Sequence, residues 1–402
     1  MNGVKTVHRL CPICGSRSGH WLHHQRFALP PDHSLPSAFD IVACPDCGFL
    51  YADTIADKTA YSRYYADHSK YSDQGTSTGG GGDARDQARI EITARDIAHH
   101  LPDSKAHIVD IGCANGGMLA AMRDLGYRHL LGVDPSPDCV ANTARFFGIP
   151  ARQGWLGAMP SMEQPADLII LSHVLEHVLD LAEATSSLRE LLSPGGLVYV
   201  EVPDATRYVD CLVAPFQDFN TEHINHFNPA ALSNLMAAHG FAAVAEGTKT
   251  IEAAGGSPYP ACFGFFRCLG AGAQQTSWRH APEFFSAISR YIECSAAMLG
   301  DIDAKLAALP AGPVIVWGAG QLTLKLLVET RLGAVDIAAF TDGNPLHHGK
   351  TLRNQIIVAP ERLRDLPPHP IVVGSLMHHA AIEQRIRQDL ALPNPVVTFV
   401  SA

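Results

Sequence analysis

Between residues 105 and 245, short β-branched runs alternate with helical stretches: AHIVDIG, HLLGVDP, ADLIILS and GGLVYVEVP are separated by segments such as MLAAMRDLG. Few architectures accommodate that alternation, because strands buried on both faces must be joined by helices crossing over the sheet. The pattern returns after residue 311 in PVIVWGAG, DIAAFTD, HPIVVGS and PVVTFV. The expected fold class is therefore α/β, with two Rossmann-like layers preceded by a small Cys-rich module.

Composition narrows the functions open to such a chain. With 402 residues, 47% of them hydrophobic, there is material for several cores. The net charge of −10, with no Lys/Arg-rich run, disfavours a nucleic-acid partner. The start MNGVKTVHRLCPICG lacks an apolar leader, and no later stretch suits a membrane span. Ten Cys, four of them in CxxC pairs, fit a reducing, cytoplasmic setting better than a disulfide scaffold.

Those pairs, Cys11-Pro-Ile-Cys14-Gly and Cys44-Pro-Asp-Cys47-Gly, are near copies. A two-residue gap lets both sulfurs turn onto one ion, and the following Gly frees the backbone for the knuckle. Four thiolates leave no open position for water, so the expected Zn2+ is structural. A segment this poor in apolar periodicity needs such a staple.

The run His107-Ile-Val-Asp110-Ile-Gly112-Cys-Ala-Asn-Gly116-Gly117 is a strand entering a Gly-rich turn and then a helix. Asp134 closes the next strand, where an acid can accept both ribose hydroxyls of an adenosine-type ligand. After the fifth strand comes Phe219-Asn-Thr-Glu222-His223-Ile-Asn-His226-Phe227, two His and one Glu close to a sheet edge. His titrates near neutrality and a neighbouring carboxylate can orient it, so the segment suits proton transfer; a solvated turn before the next helix is the other reading.

The series DIGCANG, GVDPSP, ADLIILSHVLEHVLD and LLSPGGLVYVEVPD resembles the motifs of class I S-adenosylmethionine-dependent methyltransferases. That resemblance implies that Asp110, Gly112, Gly116 and Asp134 bind the cofactor S-adenosylmethionine. It also implies that Gly154 and Trp155 wall the adenine, with His173 beside the methionine end. For Trp155 an ordinary core role is equally open. The whole order of modules is similar to the three-domain nucleotide-sugar C-methyltransferases, which methylate the carbon next to a keto group of a nucleotide-linked deoxysugar.

On that pattern the divisions are a zinc-binding module at 1–60, a linker and lid at 61–104, a methyltransferase domain at 105–245, a connector with a long helix at 246–310, and a C-terminal Rossmann-like domain at 311–402. By position, His223 is the implied base, with Glu222 and His177 steadying the enolate or the sugar; Tyr71 and His226 stand next in line as base. Asn220 departs from the family's aromatic residue before the Glu, and Tyr64, Tyr65 and Tyr71 only loosely match its Tyr-rich loop. The implied partner is a small-molecule acceptor; oligomeric state is open.

Two rivals follow from the same residues. An O- or N-methyltransferase needs little beyond proximity and an optional base. An NAD-dependent oxidoreductase could use the second Gly-rich turn, Gly318-Ala-Gly320, with Asp342 at the next strand end. Against it, Thr323 occupies the position where a dinucleotide turn wants Gly or Ala.

Overall fold

A computed structural model of the chain describes residues 3–68, 84–252, 257–269 and 279–400. Tyr71, the reserve base of the sequence analysis, lies outside the described residues. The chain divides into two compact units: Met1–Leu22, Ile41–Cys211 and Thr221–Ile288 form the first, and His23–Asp40, Leu212–Asn220 and Ser289–Ala402 the second.

The first unit is built on a seven-stranded sheet. At the middle of its five parallel strands, His107–Ile111 pairs with His129–Asp134 on one side and Ala166–Ser172 on the other. Ala151–Gln153 and Leu192–Pro203 extend the parallel set, and Phe241–Glu252 and Pro258–Cys268 complete it as antiparallel strands. Ile108, Val109, Leu168, Ile169 and Ile170 are fully buried, which is why these segments read as continuous apolar runs. The chain first builds outward from His107–Ile111 to one side and then crosses to the other. That reversal opens a crevice beyond the carboxyl ends of His107–Ile111 and Ala166–Ser172.

The local code at those ends is legible. Gly112 and Gly116 take φ of +78° and +87°, which Cβ-bearing residues rarely adopt. A Cβ on Gly112 would also lie 2.7 Å from Val174 Cγ2, and one on Gly116 would lie 2.7 Å from Thr143 Cγ2. The helix Pro137–Phe147 starts with Ser136 accepting from Cys139 N and Pro at its first position, and stops at Gly148 in the left-handed region.

The sheet runs on to Cys268, past residue 245 where the sequence analysis begins a connector. Likewise, residues 1–60 hold four strands, Val4–Thr6, Ser18–Arg26, Ala38–Ala43 and Leu50–Asp53, in a five-stranded sheet finished by Asn225–His226. These strands are short, and Ser18–Arg26 is polar and half-exposed along most of its length, so no apolar period announces them. The long helix expected over 281–308 is Glu283–Ala307.

The second unit carries a six-stranded sheet, parallel throughout except for the edge pair Thr351–Leu352 and Gln355–Val358. Ile302, Leu326 and Phe340 belong to one of its apolar clusters, and Trp317, Leu363 and Ile386 to another.

Candidate functional site

Two groups of side chains gather at the carboxyl edge of the seven-stranded sheet. The first surrounds the Gly-rich turn. Asp134 accepts from Ala114 N through Oδ2 and from Ser136 N through Oδ1, each at 2.9 Å, so it fastens the turn to the end of its own strand. A carboxylate offers about four lone-pair sites, so this leaves acceptor capacity on both oxygens for a diol. Burial pushes Asp134 up to about 6 and, with the neighbouring Asp134 charge, pushes Asp110 up to about 7. No ion pair reaches either acid among the described residues. A buried, cation-poor acid pair beside a tight Gly turn fits a ligand that brings hydroxyl and ammonium donors.

Gly154 donates its N–H to Asp134 O at 3.1 Å, and Trp155 folds back on Ala158 in a tight turn. Trp155 is 44% exposed, which excludes the core role and leaves its indole available as a wall.

The second group centres on HVLEH, which the motif series suggests is helical. Only Leu175–His177 form a single 3-10 turn, because His173 takes φ +57° and breaks the helical path. That conformation places the His173 ring between two carboxylates, Nδ1 3.2 Å from Glu176 Oε1 and Nε2 3.1 Å from Glu201 Oε1. Burial alone would lower its pKa, but the two glutamates outweigh burial and hold it at about 9, so it is an imidazolium at neutrality. Glu201 is fully buried and also takes Tyr199 OH at 2.5 Å and the Lys249 ammonium. Burial would raise its pKa, yet His173 and Lys249 keep it well below the usual carboxylate range.

Sequence reasoning missed Glu201 and Lys249. The one available signal was a lone acid in the otherwise apolar GGLVYVEVP.

His177, Glu222 and His223 are brought together, as the sequence analysis expects. His177 Nδ1 lies 3.1 Å from the Glu222 carbonyl, and the His177 and His223 rings meet edge to face with centroids 4.9 Å apart. Glu222 is buried and its Oε1 accepts from Tyr64 OH at 2.8 Å; Tyr65 sets its edge against His177. The Tyr-rich segment thus reaches the site through its helix Lys58–His68.

His226 is a poor alternative base. It sits fully buried in a strand, Nδ1 3.2 Å from Tyr208 OH, and burial lowers its pKa to about 3.

The segment is held from the N-terminal side. Asn225–His226 pairs antiparallel with Leu50–Tyr51. Arg9, also absent from the sequence reading, donates to Ile224 O at 2.9 Å, Asn225 Oδ1 at 2.8 Å and Leu179 O at 2.7 Å.

Close by in sequence to these strands, Cys11, Cys14, Cys44 and Cys47 converge, with Cys11–Cys47 and Cys14–Cys44 sulfurs 3.5 Å apart. Tetrahedral zinc with bonds of about 2.3 Å needs sulfurs about 3.8 Å apart, so the cluster fits. Gly15 and Gly48, at φ +74° and +76°, close the two knuckles alike.

The second Gly-rich turn differs. Asp342 accepts from Ala319 N and Asn344 N, each at 2.7 Å, and pairs with His347 at 3.1 Å. Thr323 is fully buried, and a Cβ on Gly374 would lie 2.0 Å from its hydroxyl.

Comparison with known proteins bears on the part of the chain that carries the first group. Residues 86–246 match the family described as "Methyltransferase domain". A protein of Mycolicibacterium smegmatis described as "Probable S-adenosylmethionine-dependent methyltransferase" is 27% identical over 154 residues, 38% of this chain and 58% of its own length. The trans-aconitate 2-methyltransferase of Acidovorax ebreus is 31% identical over 122 residues, 30% of this chain and 45% of the relative. The chain thus spans about half the length of the curated relatives it matches. Among solved structures, the Burkholderia thailandensis 1,6-didemethyltoxoflavin-N1-methyltransferase with bound S-adenosylhomocysteine aligns over 58% of this chain and 96% of its own, with TM-score 0.40 and 18% identity. On the family match, residues 86–246 form a methyltransferase domain.

Proposed function

We propose that the chain is an S-adenosylmethionine-dependent C-methyltransferase acting on the carbon next to a keto group of a nucleotide-linked deoxysugar. The observation that carries this reading is the grouping of His223, His177 and Glu222 at the edge of a methyltransferase sheet. Transfer to oxygen or nitrogen uses an existing lone pair; transfer to carbon needs one to be made.

The cofactor, when bound, supplies an electrophilic methyl group. Asp110, Asp134, Gly112, Gly116, Gly154, Trp155 and His173 would hold it. His223 takes the proton alpha to the carbonyl, and the resulting enolate oxygen needs a donor nearby. His177, with a proton on each ring nitrogen, is the candidate for that donor through Nε2. Glu222, itself held by Tyr64, keeps the two imidazoles in register through its carbonyl and chain position. The four-cysteine zinc fixes the sheet that carries this segment, and the parallel sheet of the second unit suits a Rossmann-like, nucleotide-side role.

A relative described as "Ubiquinone biosynthesis O-methyltransferase" favours O-methylation as the second reading. Solvent deuterium exchange at the acceptor carbon, run with S-adenosylhomocysteine, separates the two. Wild type is expected to exchange that proton and His223→Ala is not, with turnover of the variant down about 100- to 10,000-fold and cofactor affinity within about threefold. Methylation of a hydroxyl without any exchange would overturn the C-methyltransferase reading.

A further inference from the structure

We propose that Glu176, His177 and His223 form a second metal site for a divalent transition ion such as zinc, cobalt or nickel, and that an ion bound there silences His223. The three residues each offer one ligand atom, all within 4.8 Å of one another. Two imidazoles and one carboxylate suit transition ions rather than magnesium or calcium, which prefer oxygen shells.

Glu176 supplies an independent pointer. It is 1% exposed, its Oε1 is engaged by His173, and its Oε2 is buried with no hydrogen-bond partner among the described residues. A buried carboxylate oxygen left without a donor carries a desolvation cost that an ion would offset.

His177 is already oriented. A carbonyl only accepts, so the 3.1 Å contact between Nδ1 and Glu222 O puts a proton on Nδ1. In the neutral ring, Nε2 then carries the lone pair, and it lies 3.9 Å from Glu176 Oε1. Fixing one imidazole nitrogen on a carbonyl so that the other faces the ion is how metal-binding histidines are commonly held. The His173 imidazolium opposes any cation here, and its second nitrogen is held by Glu201 at 3.1 Å. That opposition disfavours weakly held hard ions and leaves those bound strongly through nitrogen.

A nitrogen lone pair donated to a metal cannot accept a proton. The silencing clause rests on His223 being the base, as proposed above; the site itself does not. The test uses full chain carrying one zinc per chain, with weakly held metal removed by a mild chelator, titrated with Co2+ and followed by visible absorption and calorimetry. The expected result is one nitrogen- and oxygen-ligated cobalt per chain beyond the four-thiolate site. Affinity should fall at least tenfold in both Glu176→Gln and His177→Asn, with circular dichroism and zinc content confirming that each variant is folded. Turnover of the keto sugar nucleotide should fall in proportion to occupancy. Absence of that cobalt signal in wild type, or its persistence in both variants, would overturn the site. An occupied site that leaves turnover unchanged or raised keeps the site and removes His223 as base.

Discussion

The chain contains two strand–Gly-turn–helix units that look alike in sequence and differ in what they leave unsatisfied. At the first, Asp110 and Asp134 are buried together with raised pKa values and no cation beside them among the described residues. At the second, burial would raise Asp342, but His347, Ala319 and Asn344 outweigh it and keep the carboxyl below its ordinary value. Each acid at the next strand end accepts from two backbone N–H groups, but Asp342 also has an imidazole beside it and Asp134 has a second buried acid. A Gly-rich turn is thus better judged by the electrostatic debt at the next strand end than by its glycines.

The largest expected contrast concerns the zinc staple proposed for the four-cysteine cluster of the first unit; the second unit shows no such cluster among the described residues. Removing zinc, or making Cys44→Ser, should unfold the N-terminal sheet, since structural zinc contributes on the order of 10 kcal/mol to small modules. Hydrogen exchange should show protection lost in residues 3–22 and 41–53 and kept in 311–400, and cofactor affinity should stay mostly intact. Metal analysis that finds no zinc in a folded preparation would remove the staple.

Next comes the ligand. Asp134→Ala should weaken S-adenosylmethionine binding about a hundredfold, the worth of two charge-assisted hydrogen bonds, about 3 kcal/mol. Asp342→Ala should leave it unchanged, and calorimetry that shows the reverse would move the cofactor to the second turn.

Backbone substitutions sharpen the contrast further. Gly116→Ala meets both a φ of +87° and Thr143, and should cost about 1–3 kcal/mol of stability. Gly320 has φ −80° with open space around it, so Gly320→Ala should change stability by less than about 0.5 kcal/mol in denaturant titrations.

The smallest effect is in pH. Asp110 and Asp134 have folded pKa values of about 7 and about 6, above their ordinary 3.8, so they titrate as a pair. Their contribution is fully present below the unfolded value and is lost as pH rises through 6 to 7. Asp342 is lowered, so its contribution is present at neutrality and lost only as pH falls below the ordinary carboxylate value. Melting of the ligand-free first unit should therefore rise on acidification from pH 8 to 5.5, while the second unit stays level. Asn at both 110 and 134 should flatten the first curve.

Legibility in the sequence followed separation along the chain. The Gly turn, Asp134 and the cysteine knuckles are local, so spacing alone exposes them. Arg9, Tyr64, Glu201 and Lys249 reach their partners from distant segments, and residue type at one position says nothing about such meetings. The strand Phe241–Glu252 was hidden for another reason: it is an edge strand, exposed at every second or third residue, with small and charged side chains in place of an apolar run. The 3-10 turn at Leu175–His177 was hidden because HVLEH has good helical composition, which the left-handed His173 overrides.

The pairing of Asn225–His226 with Leu50–Tyr51 also sets a timetable for biosynthesis. The N-terminal sheet leaves the ribosome early, yet its last strand is translated more than a hundred and seventy residues later. At about 5–20 residues per second the exposed edge of Leu50–Asp53 waits roughly 10–35 s for its partner. During that interval an unpaired strand is the place where the nascent chain is open to mispairing or to a chaperone. Slowed translation between residues 60 and 220 should therefore lower the yield of active protein more than the same delay placed after residue 230.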